Sequence, residues 1–200
     1  MEQSKRPGQE YAQRLSSPFM RFKPDAISAA SLVIAFVSAF LYFLGGFYLI
    51  PAVIGIIVAS FFDAVDGEVA RRRNLQSLRG DYVDHVIDRY VDVALILGIG
   101  FSPYGNPVVT VFALSGIMLT SYLGTQAQAV GLKRDYEGIM GRANRLVMII
   151  IMGIVQIILP ASYPIYWLNL TPSLVLLLIL AIGGHATAVR RVYRALEKLK

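Results

Sequence analysis

An all-α integral membrane fold is predicted for this chain of 200 residues: six transmembrane helices, an N-terminal amphipathic helix in the interface, and both termini cytoplasmic. Composition is the first observation, because 56% hydrophobic and only 16% charged residues, with a mean hydropathy of +0.57, are too apolar for a soluble domain. The second is the recurrence of apolar runs at 26–44, 47–62, 91–101, 108–123, 146–159 and 174–181. A spanning helix needs about 20 residues, and the shorter runs reach that length with their polar cytoplasmic extensions. The third is charge placement. Links near 45–50, 103–106 and 160–172 contain no Lys or Arg. Every basic residue except Arg89 lies in the N-terminal segment, the 71–79 link, the 133–145 link or the C-terminal tail. Positive charge inside then requires an even number of spans.

The spans are placed at 24–45, 48–73, 81–102, 106–130, 142–160 and 171–194. Ahead of them Tyr11, Leu15, Phe19 and Phe22 form an apolar stripe beside Lys5, Arg14, Arg21 and Lys23. That pattern suits a helix lying in the cytoplasmic interface and bent near Pro18. No apolar core or small-residue cleavage site of a secretory signal occurs in the first 23 residues. The first span opens on Pro24-Asp25-Ala26-Ile27-Ser28, where Asp25 reads equally as a helix cap. No linker divides the chain, so residues 1–200 read as one membrane domain. The net charge of +6 follows the membrane topology rather than one helix face, which excludes nucleic-acid binding as its purpose. Zero cysteines exclude disulfides, thiolate catalysis and Cys-bound metal.

Spans 2 and 3 carry the chemistry. They hold Asp63, Asp66, Asp84 and Asp88, and a short turn around residues 72–78 joins them. Folding the sequence about residues 75–76 sets Asp63 level with Asp88, Asp66 with His85 and Asp84, and Ala70 with Asp81. The spacings i, i+3 and i, i+4 keep each pair on one helix face. About 15 residues of span 2 precede Asp63, or roughly 22 Å of rise, so the acids sit in the inner third of the membrane. Four like charges at that depth repel one another unless cations lie between them. Carboxylate-only ligation selects Mg²⁺ or Mn²⁺ over zinc. Four aspartates suffice for two such ions roughly 3.5–4 Å apart, an arrangement suited to displacement at phosphorus. Gly67, Ala70 and Gly80 line a groove narrow enough for a phosphate to approach the backbone, and Arg71 offers it paired donors. A cation transporter is the alternative; it predicts acids at several depths, and here the outer half has none.

The later spans hold candidates for a second substrate. Gly138-Ile139-Met140-Gly141-Arg142-Ala143-Asn144-Arg145 opens span 5 with two arginines beside helix-start NH groups, a phosphate site or a topogenic charge. In span 4, Thr125 and Gln126 are placed to meet polyol hydroxyls. His85 reads as a packing neighbour of Asp84, and Arg89 as an i, i+3 partner of Asp92. His185 stays open between pocket lining and no role, and Arg190, Arg191 and Arg194 read as interface anchors.

The pattern Asp63-x2-Asp66-Gly67-x2-Ala70-Arg71-x8-Gly80-x3-Asp84-x3-Asp88 resembles the complete signature of the CDP-alcohol phosphotransferases. That resemblance implies attack of an alcohol on the β-phosphate of a CDP-linked alcohol, giving a phosphodiester and CMP. It implies Asp63, Asp66 and Asp84 on one metal ion and Asp63, Asp84 and Asp88 on a second, with Asp88 also taking the proton of the attacking hydroxyl. Gly67, Arg71, Ser77 and Asp81 match donor-contacting positions, with Ala70 and Gly80 giving the donor room. The opening of span 1 is similar to the Pro-Asn-x-x-Thr-like segment of such enzymes, placing Ala26, Ile27 and Ser28 in the donor site; Asp25 replaces the amide. Residues 122–129 with Gly138, Arg142 and Arg145 resemble the inositol-phosphate-accepting branch, the ether-lipid version first. Glycerol 3-phosphate as acceptor and a soluble CDP-inositol donor remain the alternatives. The partners implied are a CDP-linked lipid, a phosphorylated polyol bound near Arg142, Arg145, Thr125 and Gln126, the bilayer of the cell membrane, and a second copy as a homodimer.

Overall fold

Prolines set where several helices begin. Pro24, Pro107 and Pro172 each sit in the first turn, where a missing N–H costs nothing and a fixed φ suits the helix. The computed structural model describes residues 14–133, 140–166 and 168–199. Its helices are α1 Pro24–Leu44, α2 Leu49–Arg72, α3 Leu78–Gly100, α4 Pro107–Ala129, α5 Arg142–Ile158 and α6 Pro172–Lys198. Side-chain caps fix three of the starts. Ser77 accepts from the Gly80 N–H, Asn106 from those of Val108 and Val109, and Thr171 from that of Leu174. The predicted boundaries agree closely, apart from a two-stranded antiparallel hairpin, β1 Tyr163–Ile165 and β2 Leu168–Leu170, in the expected 160–172 link.

The α2–α3 turn closes by a defined device. Asn74 adopts φ 53°, and the Leu75 N–H bonds the Ala70 carbonyl at 2.9 Å while the Asn74 N–H bonds that of Arg71 at 3.2 Å. Those two bonds satisfy the last carbonyls of α2 and reverse the chain at once. The N-terminal stretch is locked to this end of α2. Residues 14–16 are helical and Ser17–Phe19 form a 3-10 turn around Pro18. Phe19 packs on Phe61 and Phe62, and Arg72 donates to Ser16 at 2.9 Å. Phe19 therefore meets protein, whereas Leu15 and Phe22 stay exposed as an interfacial stripe requires. Tyr11 and Lys5 lie outside the described residues.

Small residues determine which helices touch. One face of α1 buries Ser28, Ser31, Ala35, Ser38, Ala39 and Tyr42, and both α2 and α3 pack against α1. The Ser31 hydroxyl donates to the Ala59 carbonyl at 2.8 Å. Gly98 of α3 lies against Ala39, and Gly116 and Gly184 bring α4 and α6 together, where the Thr120 hydroxyl donates to the Gly184 carbonyl at 2.9 Å. Outward-facing Val33, Phe36, Val37, Phe40 and Phe43 leave a broad apolar surface on α1. With its several apolar helices, this is a multi-pass membrane protein.

Among the described residues, four helical stretches are long and apolar enough to cross a membrane: Pro24–Leu44, Gly46–Arg72, Pro107–Ala129 and Pro172–Lys198. The expectation of six spans meets two helices that differ. Arg79, Asp81, Asp84, Asp88, Arg89 and Asp92 give α3 a strongly polar face, and α5 has only 17 residues. A Cβ at Gly98 would lie 2.3 Å from the Ala39 carbonyl oxygen, backbone that cannot turn aside. Gly98→Ala is therefore expected to destabilise the bundle by about 1–3 kcal/mol, read as a lower melting midpoint in detergent; an unchanged midpoint would refute this contact.

Candidate active site

Helical spacing gathers the acids, and the hairpin joins the two sets. Carboxylate oxygens of Asp63, Asp66 and Asp84 all lie within 4.8 Å of one another, and ligand atoms of Asp84, His85 and Asp88 do likewise. Asp84 is common to both groups. Asp66 and Asp88 are each only 6% exposed, so their charge is held where water screens it poorly. The arms α2 and α3 both pack closely on α1 but not on each other, and the carboxylates face one another across that gap.

Three neighbours hold the cluster. The Ser28 hydroxyl donates to Asp66 Oδ2 at 2.5 Å. Arg142 opens its fork on Asp63, with Nη1 to Oδ2 at 2.6 Å and Nη2 to Oδ1 at 2.8 Å. Its Nη2 is also 2.8 Å from Asp88 Oδ1, off the hydrogen-bonding direction, so that buried oxygen accepts no hydrogen bond among the described residues. Arg89 stands 3.8 Å from Asp88 and 3.1 Å from Asp92, and donates to the Ser121 hydroxyl. The expected Arg89–Asp92 pair is present.

Beside the acids opens a cavity of about 520 Å³. Asp66 and Asp84 line it together with Ser28, Gly67, Ala70, Arg71, Ser77, Gly80 and Asp81. Two sequence candidates are not brought there. Ala26 is exposed and Ile27 is buried against Val65 and Val69, because one and two residues past Asp25 an α-helix has turned away from the face shared by Asp25 and Ser28. Nor does Asp25 cap α1: the cap position is Lys23, and the Asp25 carboxylate pairs with Arg79 at 2.8 Å across the cavity. Ser77 contributes to the wall while its oxygen accepts the Gly80 N–H at 3.0 Å. Arg71 lies over Gly67, where a Cβ would come 3.6 Å from its Nη1, and forks onto Glu68. Sequence reasoning missed Lys23, Arg73 and Arg79, which also line the cavity. They look like topogenic charge until the turn places them beside the groove.

The acceptor candidates separate. Arg142 meets the acids, but Arg145, 2% exposed, pairs with Asp92 at 2.5 Å and donates to the Met140 carbonyl at 2.8 Å. Thr125 and Gln126 are exposed, and the Thr125 hydroxyl bonds back to the Ser121 carbonyl at 3.1 Å. Neither makes a hydrogen bond to the aspartates among the described residues. Gly138 and Ile139 lie outside those residues. His185 Nε2 contacts the Ser115 hydroxyl at 3.3 Å between α4 and α6, and Arg191 donates to the Thr120 carbonyl at 2.7 Å.

The donor set fits a hard divalent cation. Asp63, Asp66 and Asp84 offer only oxygens, close enough to share one ion, and the uncompensated charge of the group calls for cations.

Comparison with known proteins agrees with this architecture. Residues 21–183 match the CDP-alcohol phosphatidyltransferase family, and the chain belongs to it. It is a transferase of that type, with the chemistry of phospholipid biosynthesis. The archaetidylinositol phosphate synthase of Pyrococcus horikoshii is 26% identical over 177 residues, 88% of this chain and 85% of that protein. The fold is that of the Mycobacterium tuberculosis phosphatidylinositol phosphate synthase. Its structure with CDP-DAG bound aligns at TM-score 0.75 and 24% identity, covering 91% of this chain and 94% of that one. Its complex with manganese and citrate aligns at TM-score 0.74 and 23% identity over 90% and 88%.

Because Asp84 belongs to both groups, Asp84→Asn is expected to weaken Mn²⁺ binding at least tenfold more than Asp66→Asn, by titration of the purified protein. Equal losses would refute a shared ligand.

Proposed function

We propose that this enzyme transfers a phosphatidyl- or archaetidyl-type group from a CDP-linked lipid to a phosphorylated polyol, inositol 1-phosphate first, with release of CMP. One observation carries the reading: of the clustered aspartates, Asp66 and Asp84 line a cavity bearing Lys23, Arg71, Arg73 and Arg79, and Arg142 rests against the other two. In this reading the activity belongs to one domain over residues 1–200. Six helices cross the cell membrane, both termini face the cytoplasm, and two copies form a homodimer.

Cations along the cavity wall receive the diphosphate, and Gly67, Ala70 and Gly80 leave space for it to lie against the backbone. Ser28 orients Asp66 by donating to its Oδ2. Asp63, Asp66, Asp84 and Asp88 would hold two Mg²⁺ or Mn²⁺ ions, which supply charge neutralisation at the diphosphate and the departing CMP. Arg142 binds the phosphate of the acceptor. Its guanidinium stands against Asp63 and Asp88, which puts a fixed positive charge beside the acids where the acceptor's anionic group would lie. A polyol held there brings its attacking hydroxyl to Asp88, which takes the proton as the new ester bond forms. The archaetidylinositol phosphate synthase relative and the CDP-DAG-bound structural neighbour support this choice of donor and acceptor.

Purified protein with Mg²⁺ or Mn²⁺, CDP-lipid and inositol 1-phosphate is expected to release CMP, and Asp88→Asn to reduce the rate by about 10²–10⁴-fold, the range of general-base catalysis. Equal turnover with glycerol 3-phosphate, or a requirement for CDP-inositol as donor, would overturn the substrate assignment. Arg142→Ala is expected to raise the KM for inositol 1-phosphate about tenfold, roughly 1.4 kcal/mol of binding, while leaving the KM for CDP-lipid within twofold of wild type; an unchanged acceptor KM would remove Arg142 from the acceptor site.

A further inference from the structure

One buried charge group lies outside the signature aspartates. Asp92 continues the stripe of Asp84 and Asp88 one turn deeper along α3 and is 2% exposed. It accepts from Arg145 at 2.5 Å, and Arg89 stands 3.1 Å from the same oxygen. Two guanidiniums on one buried carboxylate are more than its own neutrality needs. Arg145 is itself 2% exposed, and its other amino group donates to the Met140 carbonyl at the entry to α5. One side chain thus ties the start of α5 to α3, level with the layer beneath the catalytic acids.

Arg142 lies three residues before Arg145 in the first turn of α5, on the same helix face. Residues 142–145 are one rigid turn, so wherever Arg145 is held, Arg142 is aimed. We propose that Asp92 and Arg145 form a positioning pair that sets the Arg142 guanidinium against Asp63 and Asp88. Arg145 then binds no substrate, and Asp92 holds no metal. Both act through Arg142. Arg89 completes the anchor: its contacts to Asp92 and Ser121 restrain Asp92 from the α3 and α4 side, and it flanks Asp88 at 3.8 Å.

This inference rests on Arg142 serving a substrate, and the test keeps the two claims apart. Steady-state kinetics are measured for wild type, Arg142→Ala, Asp92→Asn, Arg145→Met and the doubles that combine Arg142→Ala with each of the others. Arg145→Met leaves Asp92 paired with Arg89, so no buried carboxylate loses all compensation, and this variant keeps the test decisive if Asp92→Asn fails to fold. The expected result is that Asp92→Asn and Arg145→Met each raise the acceptor KM about tenfold, leave the CDP-lipid KM within twofold, and add less than twofold to Arg142→Ala. Non-additivity of that kind marks residues acting through one group. If Arg142→Ala instead moves the donor KM or kcat, the acceptor assignment fails, and the positioning pair is judged by the same coupling in that parameter. Full additivity, or folded variants with wild-type kinetics, would overturn the pair. So would an Arg142→Ala variant with no kinetic change.

Discussion

Everything in this bundle is arranged around negative charge that the fold itself does not neutralise. Asp63, Asp66, Asp84 and Asp88 lie together on two helices, half-buried to buried. Repulsion among carboxylates grows as water is excluded, so such a group persists only with cations at hand. Arg142 supplies one of them, touching Asp63 and Asp88. The remaining demand is what suits the site to divalent metal and to a diphosphate substrate.

Close packing elsewhere makes that concentration possible. Both hairpin arms pack on the small-residue face of α1 rather than on one another, which keeps open the gap that the acids share. Contacts at Gly98 against Ala39 and Gly116 against Gly184 bring backbones near enough to leave little freedom for the helices to slide. The same α1 delivers Ser28 to Asp66, so one helix both separates the arms and orients an acid. At the turn, the left-handed Asn74 reverses the chain over few residues and sets Arg71 and Arg73 beside the cavity.

Electrostatics are layered along the bundle. Lys23, Arg71, Arg73 and Arg79 line the cavity, the aspartates and Arg142 form the layer next to it, and Asp92 with Arg89 and Arg145 lies deeper along α3. In the proposed reaction the order is functional: anions are drawn to the cavity wall, chemistry takes place at the acids, and the deepest charges hold geometry. Arg142 and Arg145, three residues apart, divide between the last two layers.

The membrane class and six helix positions were legible from apolar run length, and the acid cluster from spacing alone, because helical periodicity converts sequence separation directly into shared faces. Fixed spacing within one hairpin also made most of the cavity wall readable, from Gly67 to Asp81. What could not be read was which partner each arginine finds. Arg142 and Arg145 are equivalent as sequence, and only the packing of α5 against α2 and α6 sends one to Asp63 and the other to Asp92. The exclusion of Ala26 and Ile27, the pairing of Asp25 with Arg79 and the exposure of Thr125 and Gln126 belong to the same category. Contacts between helices distant in sequence depend on how the bundle packs, and no local periodicity encodes that.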